Sequence, residues 1–205
     1  MTEHYQFQFY PTLLNEFHRY LKTPDDGAKQ KLLNRINRIP ETDPVILSKF
    51  KKGISFEEAV LKDKVSEINP DLILEARELL PHKYKTQQLV SFSHKNIRFY
   101  GYADVLGQGK VIDLKSTAKH QAGRHDHNFQ NLYLYALQDF GFTEMEYIIC
   151  DFEQVYVEKY NLDNYDFKPL LLEMEAFTEF LMENKSLIKD KKILQKRPED
   201  LFSFY

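Results

Sequence analysis

Two neighbouring segments decide the fold of this chain: GYAD at residues 101–104 and VIDLK at residues 111–115. Side chains of a β-strand alternate between its two faces, so Asp113 and Lys115 point one way and the apolar residues beside them point the other. The second segment is therefore predicted to be a strand with a charged pair on one face and apolar side chains on the opposite face.

The run GQG at residues 107–109 predicts a β-hairpin between the two segments. A turn made only of Gln108 and Gly109 would pair Asp104 with Asp113. A three-residue loop without a bulge would instead send the two carboxylates to opposite faces of the sheet. The length of this turn therefore decides whether the two aspartates can form one site.

Two carboxylates that lie close together favour a cation between them, because without one they repel each other and lose solvation. Ligation by oxygen alone favours Mg²⁺ or Mn²⁺. Such an ion can hold a phosphate oxygen, lower the pKa of a bound water and stabilise the charge of an in-line displacement. The pattern indicates a metal-dependent phosphodiester nuclease, and the alternative is a surface strand on which Asp113 and Lys115 are solvated neighbours.

The chain resembles the PD-(D/E)XK nuclease superfamily, in the branch of the RecB nuclease domain, CRISPR-associated exonucleases and lambda-type phage exonucleases. The segment KGISFE at residues 52–57 is similar to the G-x-x-x-E element that opens a helix, with Glu57 as the acidic ligand and Glu58 as its rival. Residues 101–104 resemble the family's G-x-x-D strand, and residues 111–115 resemble the strand that ends in D-x-K.

The segment FQNLYLYAL at residues 129–137 resembles the family's helix with a Q-x-x-x-Y signature, although its spacing differs. Among the amide residues and tyrosines of this segment, only Asn131 and Tyr135 are four residues apart, and asparagine then stands in place of glutamine. Gln130 is identified as the glutamine of the motif. Helical geometry favours Tyr133 as its partner, because residues three apart share a helix face.

The resemblance spans residues 53–137 and implies an α/β fold with a restriction-endonuclease-like core, a central mixed β-sheet of about five strands flanked by helices. It implies a nuclease that acts on DNA, with RNA not excluded, that uses Mg²⁺ and accepts Mn²⁺. The implied catalytic residues are Glu57, Asp104, Asp113, Lys115 and Gln130. The implied metal ligands are Glu57, Asp104, Asp113 and the carbonyl of Leu114. Lys115 is expected to position the attacking water, and Gln130 to brace the site.

The polar loop at residues 119–127 contains one glycine, one arginine and three histidines, and we interpret it as a segment that faces the substrate. The expected nucleic-acid-binding residues are Lys119, His120, Arg124 and Tyr133. Two alternatives remain for the loop: a zinc site made of its histidines, His120, His125 and His127, or a solvated segment without function. A second basic cluster lies at residues 49–52.

Composition limits the choice of function. The chain has 205 residues, 42% hydrophobic and 29% charged, with a formal net charge of −3. This charge argues against an extended nucleic-acid coating, so the positive charge of a nuclease must be local. A single cysteine, Cys150, excludes an iron–sulfur cluster held by four cysteines and a disulfide within the chain. Cys150 is predicted to be a small buried core residue.

No signal peptide or membrane span is visible in the sequence, so no membrane partner is expected. The resemblance implies a cytoplasmic protein of a bacterial cell or a phage-infected host. A second copy of the chain, or a protein of recombination or repair, is the expected protein partner.

One nuclease-like domain is predicted over residues 1–205, with an N-terminal helical part to about residue 85, a core at 86–185 and a tail at 186–205. Helices are predicted after a cap at Thr12 and at residues 29–39, 71–80 and 167–183. Strands are predicted at residues 87–93, 97–106, 111–115, 144–152 and 154–161. The aromatic end of the tail, residues 201–205, is expected to dock on the body of the protein.

Overall fold

A computed structural model describes residues 5–196 of the chain. Within this range the chain divides into two compact units. The first unit contains residues 5–40, 91–101 and 168–196, and the second contains residues 41–90 and 102–167. The predicted aromatic end of the tail lies outside the described residues. Every candidate site residue named above belongs to the second unit.

The first unit packs three helices with a short strand. Strand β1 (Tyr5–Phe9) pairs in parallel with residues 97–99 and antiparallel with a strand at Leu194–Lys196. The helices are α1 (Pro11–Lys22), α2 (Asp26–Ile36) and α6 (Lys168–Glu183). The rings of Phe9 and Phe17 lie 4.8 Å and 4.6 Å from the ring of Phe177, so buried aromatic side chains join β1, α1 and α6.

The second unit holds the hairpin that the sequence singled out. Its helices are α3 (Pro44–Lys62), α4 (Pro70–Glu78) and α5 (Leu132–Leu137). Strand β4 (Lys110–Ser116) runs antiparallel to β3 (Ile97–Gly107) and parallel to β5 (Glu144–Cys150), and β6 (Val155–Asn161) runs antiparallel to β5. Strands β2 (Lys85–His94) and β3 pass from one unit into the other.

A buried apolar cluster packs α3 and α4 against the sheet of the second unit. Helix α3 contributes Phe56 and Ala59, and the strands contribute Val105, Ile112 and Ile148. Cys150 is buried in the same cluster, as predicted. This packing fixes α3 against β4 and so determines where the side chains of α3 can meet those of the hairpin.

The predicted α/β fold with a mixed sheet is confirmed, but the sheet is larger than predicted. In residues 5–196 the sheet has seven strands. Six of them are hydrogen-bonded in the order β6-β5-β4-β3-β1-β7, with β7 at Leu194–Lys196, and the seventh, β2, pairs with β3 outside this order. All five predicted strands are present. The prediction missed β1 and β7, which pair with each other although they lie at opposite ends of the described chain.

Helices α1 and α2 both begin earlier in the chain than predicted. Helix α1 begins at Pro11 after Tyr10, which makes no side-chain cap, so the predicted cap at Thr12 is wrong. Proline suits the first helical position because its missing N–H would have no partner there. Helix α2 begins at Asp26 rather than at residue 29, because the side chain of Asp25 accepts the N–H of Ala28 at 2.7 Å.

Helix α3 also begins earlier than the resemblance implies. Asp43 Oδ1 accepts the N–H of Val45 at 2.8 Å, and Pro44 takes the first helical position. Gly53 therefore lies inside the helix instead of opening it, and Glu57 follows one turn later. No helix in the described part of the chain is long and apolar enough to cross a membrane.

Candidate active site

The turn of the β3–β4 hairpin contains two residues. The strand ladder closes at Gly107 and Lys110, which leaves only Gln108 and Gly109 between the strands. Both have a positive φ, +50° and +77°, as the tight hairpin turns that match the twist of the strands require. Of the two turn lengths considered, the structure has the two-residue turn that the candidate site requires.

This register places the two aspartates together. Val105 pairs with Ile112 at the end of the ladder, and Asp104 and Asp113 are the next residues on the two strands. The charge of Asp113 acts on Asp104, so the two carboxylates are neighbours. The backbone N–H of Leu114 donates a 2.8 Å hydrogen bond to Asp104 Oδ2. The carboxylate of β3 is therefore held against the backbone of β4, directly after Asp113.

Asp113 is buried, with 4% of its surface exposed, and Lys115 Nζ forms an ion pair with its Oδ2. The predicted shared face of these two residues is confirmed, and the alternative of a solvated surface strand is wrong. Asp113 Oδ2 accepts no hydrogen bond of ordinary geometry, so the ion pair is its contact in the structure. The lysine amine also lies 5.9 Å from the ring centre of Tyr147.

Burial and like charge act together on Asp104. Burial, and then the charge of Asp113, raises the pKa of Asp104 to about 7, while Lys115 and the N–H of Leu114 act in the opposite direction. A buried carboxyl beside a second carboxyl favours its neutral form. A cation at this position would favour the charged form of both aspartates.

Glu57 reaches this pair of aspartates from α3 through a residue that the motifs did not include. Gln87 Nε2, on β2, donates a 2.9 Å hydrogen bond to Glu57 Oε1 and a 3.1 Å hydrogen bond to Asp104 Oδ1. Burial raises the pKa of Glu57, and the charge of Asp113 adds to this effect while Lys62 opposes it. Only folding brings Gln87 to this position, since no spacing in the sequence marks it.

The rival carboxylate, Glu58, has other partners. Lys62 and Lys64 place their Nζ atoms 3.4 Å and 2.8 Å from Glu58 Oε1. Successive helix residues point about 100° apart, so Glu57 and Glu58 face different neighbours. The structure thus groups Glu57, and not Glu58, with Asp104.

The donor set suits a hard divalent cation. Glu57, Asp104 and Asp113 offer carboxylate oxygens, and the buried Oδ2 of Asp113 accepts no ordinary hydrogen bond. In residues 5–196 the ligand oxygens of these three carboxylates do not all lie within 4.8 Å of one another. The amide of Gln87 lies between two of them. The residues fit Mg²⁺ or Mn²⁺ in chemistry, because these cations take oxygen ligands.

Gln130 and Tyr133 lie inside the unit. Residues 129–131 form a 3₁₀ turn, not the first turn of an α-helix as predicted, because Asn128 Oδ1 accepts the N–H of Gln130 at 3.1 Å. Gln130 is 6% exposed and Tyr133 is 3% exposed. The predicted contact of Tyr133 with nucleic acid is therefore wrong for this structure, because its side chain does not face solvent.

Tyr133 lies near the candidate site even though it is buried. Burial, and then the charges of Asp113 and Asp104, raises the pKa of Tyr133, and its hydroxyl accepts a hydrogen bond from the backbone N–H of Tyr102. Its phenol therefore stays protonated. This buried tyrosine is therefore close enough for the charges of both aspartates to act on its phenol.

Asn131 carries a buried network that the motif analysis did not assign. Its Oδ1 accepts the hydroxyl of Tyr147 at 2.6 Å, and its Nδ2 donates to the carbonyl of His125 at 3.0 Å and to the hydroxyl of Tyr165 at 2.8 Å. A buried amide with several satisfied hydrogen bonds fixes the elements around it. Asn131 thus ties the loop before it to β5.

Two of the three histidines of the polar loop contact a carboxylate of β6. His120 Nε2 and His125 Nδ1 each lie 3.0 Å from an oxygen of Glu158. The ring of His120 stacks on Tyr156 with ring centres 4.1 Å apart, and the ring of His125 stacks on Tyr147 at 4.4 Å. These contacts anchor the loop to the sheet.

Two cations of the loop face solvent. Lys119 and Arg124 are exposed, and Arg124 also donates a 2.9 Å hydrogen bond to the hydroxyl of Thr117. The second basic cluster lies on α3, where Lys51 and Lys52 line a cleft and Lys52 Nζ lies 5.4 Å from the ring centre of Phe152. Positive charge is therefore available locally on the surface of the unit.

No family model matches the chain, and no curated protein matches it. Among solved structures, the protein SSO0001 has a TM-score of 0.43 and 12% identity, over 90% of this chain and 79% of that one. A candidate exonuclease of Eubacterium rectale has a TM-score of 0.36 and 10% identity, over 86% and 69%. Rai1 of Scheffersomyces stipitis has a TM-score of 0.32 and 13% identity, over 89% and 62%. Similarity at this level assigns neither a family nor an activity to the chain.

Proposed function

We propose that this protein is a metal-dependent nuclease of the PD-(D/E)XK type that cleaves phosphodiester bonds of DNA. One observation carries the proposal: Asp104 lies against β4 beside Asp113, and the amine of Lys115 forms an ion pair with Asp113. A pair of carboxylates of which one, Asp113, is buried and the other, Asp104, is half-buried costs free energy unless a cation or proton compensates it. A site for a hard cation beside a fixed lysine is what in-line phosphodiester hydrolysis requires.

Each residue has a distinct task in this proposal. Glu57, Asp104, Asp113 and the carbonyl of Leu114 hold Mg²⁺, for which Mn²⁺ can substitute. When bound, Mg²⁺ supplies Lewis acidity toward a phosphate oxygen and toward a water. Lys115 orients that water and offsets the charge that develops on the phosphate. Gln130, which is buried, braces the site.

The substrate approaches from the polar loop in this proposal. Lys119, His120 and Arg124 contact the phosphates of the strand that is cut, and charge that is local rather than general suits the net charge of −3. The products carry 5′-phosphates, and action from an end of linear DNA, in recombination, repair or phage DNA processing, is the mode we propose.

The test is cleavage of end-labelled DNA, linear and circular, single- and double-stranded, in Mg²⁺, Mn²⁺ and EDTA. Asp113→Asn removes a candidate ligand, and Asp139→Asn, at an exposed aspartate of the same unit, is the matched control. We expect cleavage that needs metal, is lost in Asp113→Asn and is kept in Asp139→Asn. Equal cleavage by wild type and Asp113→Asn would refute the site, and preference for linear over circular DNA would support action from an end.

A non-catalytic nucleic-acid-binding protein is the second candidate. It is favoured by the amide of Gln87, which lies between Glu57 and Asp104 and leaves the three carboxylates more open than a closed metal site. The same assay separates the candidates, because a binding protein would shift labelled DNA in a gel without cutting it in any metal. RNA belongs in the assay as well, since the metal chemistry does not depend on the sugar unless a 2′-hydroxyl is read.

A further inference from the structure

We infer that Gln87 is a working part of the candidate metal site. Its side-chain NH₂ holds Glu57 and Asp104 together when no cation is bound, and its carbonyl oxygen, Oε1, becomes a ligand when a cation is bound. The inference rests on the proposed function and adds to it a residue that no motif of the chain includes.

The hydrogen bonds carry the first step of the argument. An amide nitrogen has two N–H groups, and Gln87 Nε2 donates to Glu57 Oε1 at 2.9 Å and to Asp104 Oδ1 at 3.1 Å. These two acceptors come from different elements, α3 and β3. Two carboxylates stay close only with a donor or a cation between them. The amide therefore bridges the same two carboxylates that a shared cation would bridge.

The backbone of Gln87 provides an independent observation. Its φ is +51°, in the left-handed region, although it lies within strand β2. Residues other than glycine rarely adopt this conformation, and such residues cluster at active sites and ligand-binding sites. Asn and Gly are the types that tolerate it best. The strained residue and the residue that joins the two carboxylates are thus the same one.

The chemistry of the amide explains how one side chain can serve both states. Rotation about the last bond of a glutamine exchanges its oxygen and nitrogen, and this torsion is soft. Carboxylates alone require the NH₂ side to face them. A bound divalent cation requires the oxygen side, because Mg²⁺ and Mn²⁺ take oxygen ligands.

The experiment measures Mn²⁺ binding by isothermal titration calorimetry, without substrate. The proteins are wild type, Gln87→Ala, Gln87→Glu and the control Gln88→Ala, whose wild-type amide donates to the carbonyl of Thr86 on the same strand. We expect Gln87→Ala to bind Mn²⁺ about tenfold to a hundredfold more weakly, the usual effect of removing a group that supports metal ligands. Gln87→Glu restores an oxygen ligand and is expected to bind at least as tightly as wild type. Gln88→Ala is expected to bind like wild type.

The outcomes separate this inference from the proposed function. Binding by Gln87→Ala that equals or exceeds that of wild type would overturn the inference and leave the proposed function standing, because the amide would then only compete with the cation. Wild-type protein that binds no Mn²⁺ would overturn both. If Gln87→Ala does not fold by circular dichroism, Gln87→Glu decides instead, and weaker binding than wild type in that variant contradicts the inference.

Discussion

The backbone N–H of Leu114 donates a 2.8 Å hydrogen bond to Asp104 Oδ2, which ties a side chain of one strand to the backbone of the next. The other oxygen of Asp104, Oδ1, accepts the amide of Gln87. One oxygen is thus held by the hairpin itself, and the other faces the group that joins it to Glu57. The orientation of this carboxylate is set by the fold before any cation arrives.

The raised pKa of Asp104 predicts how the free energy of unfolding of the metal-free protein depends on pH. Its pKa is raised to about 7 in the folded protein, whereas an unfolded aspartate titrates near 4. Between these values the folded state binds the extra proton, so the free energy of unfolding falls as pH rises. We expect the stabilisation that comes from the protonated form of Asp104 to be complete below about pH 4 and lost as pH rises through about 7.

Thermal unfolding in EDTA from pH 4.5 to pH 8 measures this effect. Asp104→Asn cannot titrate, so its Tm is expected to fall less across the range than the wild-type Tm and to be the higher of the two above pH 7. Parallel curves for the two proteins would contradict the raised pKa of Asp104.

Glu57 and Glu58 are expected to respond differently to the same change. Glu57→Gln removes a candidate ligand and is expected to lower the cleavage rate about 100-fold, the scale of a lost electrostatic contact at a reacting centre. Glu58→Gln removes only the exposed contacts with Lys62 and Lys64. Cleavage rates in Mg²⁺ for the two variants, compared with wild type, make the test. Equal losses, or a larger loss in Glu58→Gln, would reassign the ligand.

Lys115→Ala is expected to slow the reaction more than it weakens metal binding. The amine contacts Asp113 Oδ2, and its proposed task is to orient water and offset charge in the transition state. We expect kcat at saturating Mg²⁺ to fall about 100-fold, with a smaller change in Mn²⁺ affinity by calorimetry. A variant with unchanged kcat and weakened Mn²⁺ binding would show that the lysine only organises the ligand.

The length of the hairpin turn is expected to control activity. One glycine inserted between Gln108 and Gly109 shifts the register and sends Asp104 and Asp113 to opposite faces. Cleavage should then be abolished. Gln108→Asn keeps the two-residue length with a residue that suits the positive φ of +50°, so it is the control and should cut like wild type. An insertion variant that is folded and active would mean that a bulge restores the register.

Gly53 is expected to tolerate alanine. It lies inside α3 and its φ is not positive, and a Cβ built on it would lie 3.4 Å from Ser116 Oγ, an ordinary contact. Because alanine is the better helix former, Gly53→Ala should raise the free energy of unfolding by about 0.5–1 kcal/mol in urea. Gly53→Leu should lower it, since the longer side chain extends into Ser116. Loss of stability in the alanine variant would show that α3 packs too closely on Ser116 to accommodate a methyl group.

Local patterns were enough to predict the hairpin and most of the sheet. Alternation of side chains marks Asp113 and Lys115 as neighbours on one face, and the glycine-rich run marks the turn, because both signals act between residues close in sequence. The helix that carries Glu57 was instead predicted from the resemblance to a family motif, which did not give its start at Pro44. The Asp43–Pro44 signature lies nine residues before the motif that drew attention to this helix.

The remaining features depend on residues that are distant in sequence. Gln87 is 30 residues from Glu57 and 17 from Asp104, and no periodicity connects them. The choice of Glu57 over Glu58, the burial of Tyr133 and the pairing of β1 with residues 97–99 likewise arise only when the elements pack. Strand alternation and turn chemistry are local, so the amino-acid order alone shows which residues can form a cation site on a hairpin. Which carboxylates and which amide meet there depends on the packing of α3 and β2 against that hairpin, because this packing joins distant segments.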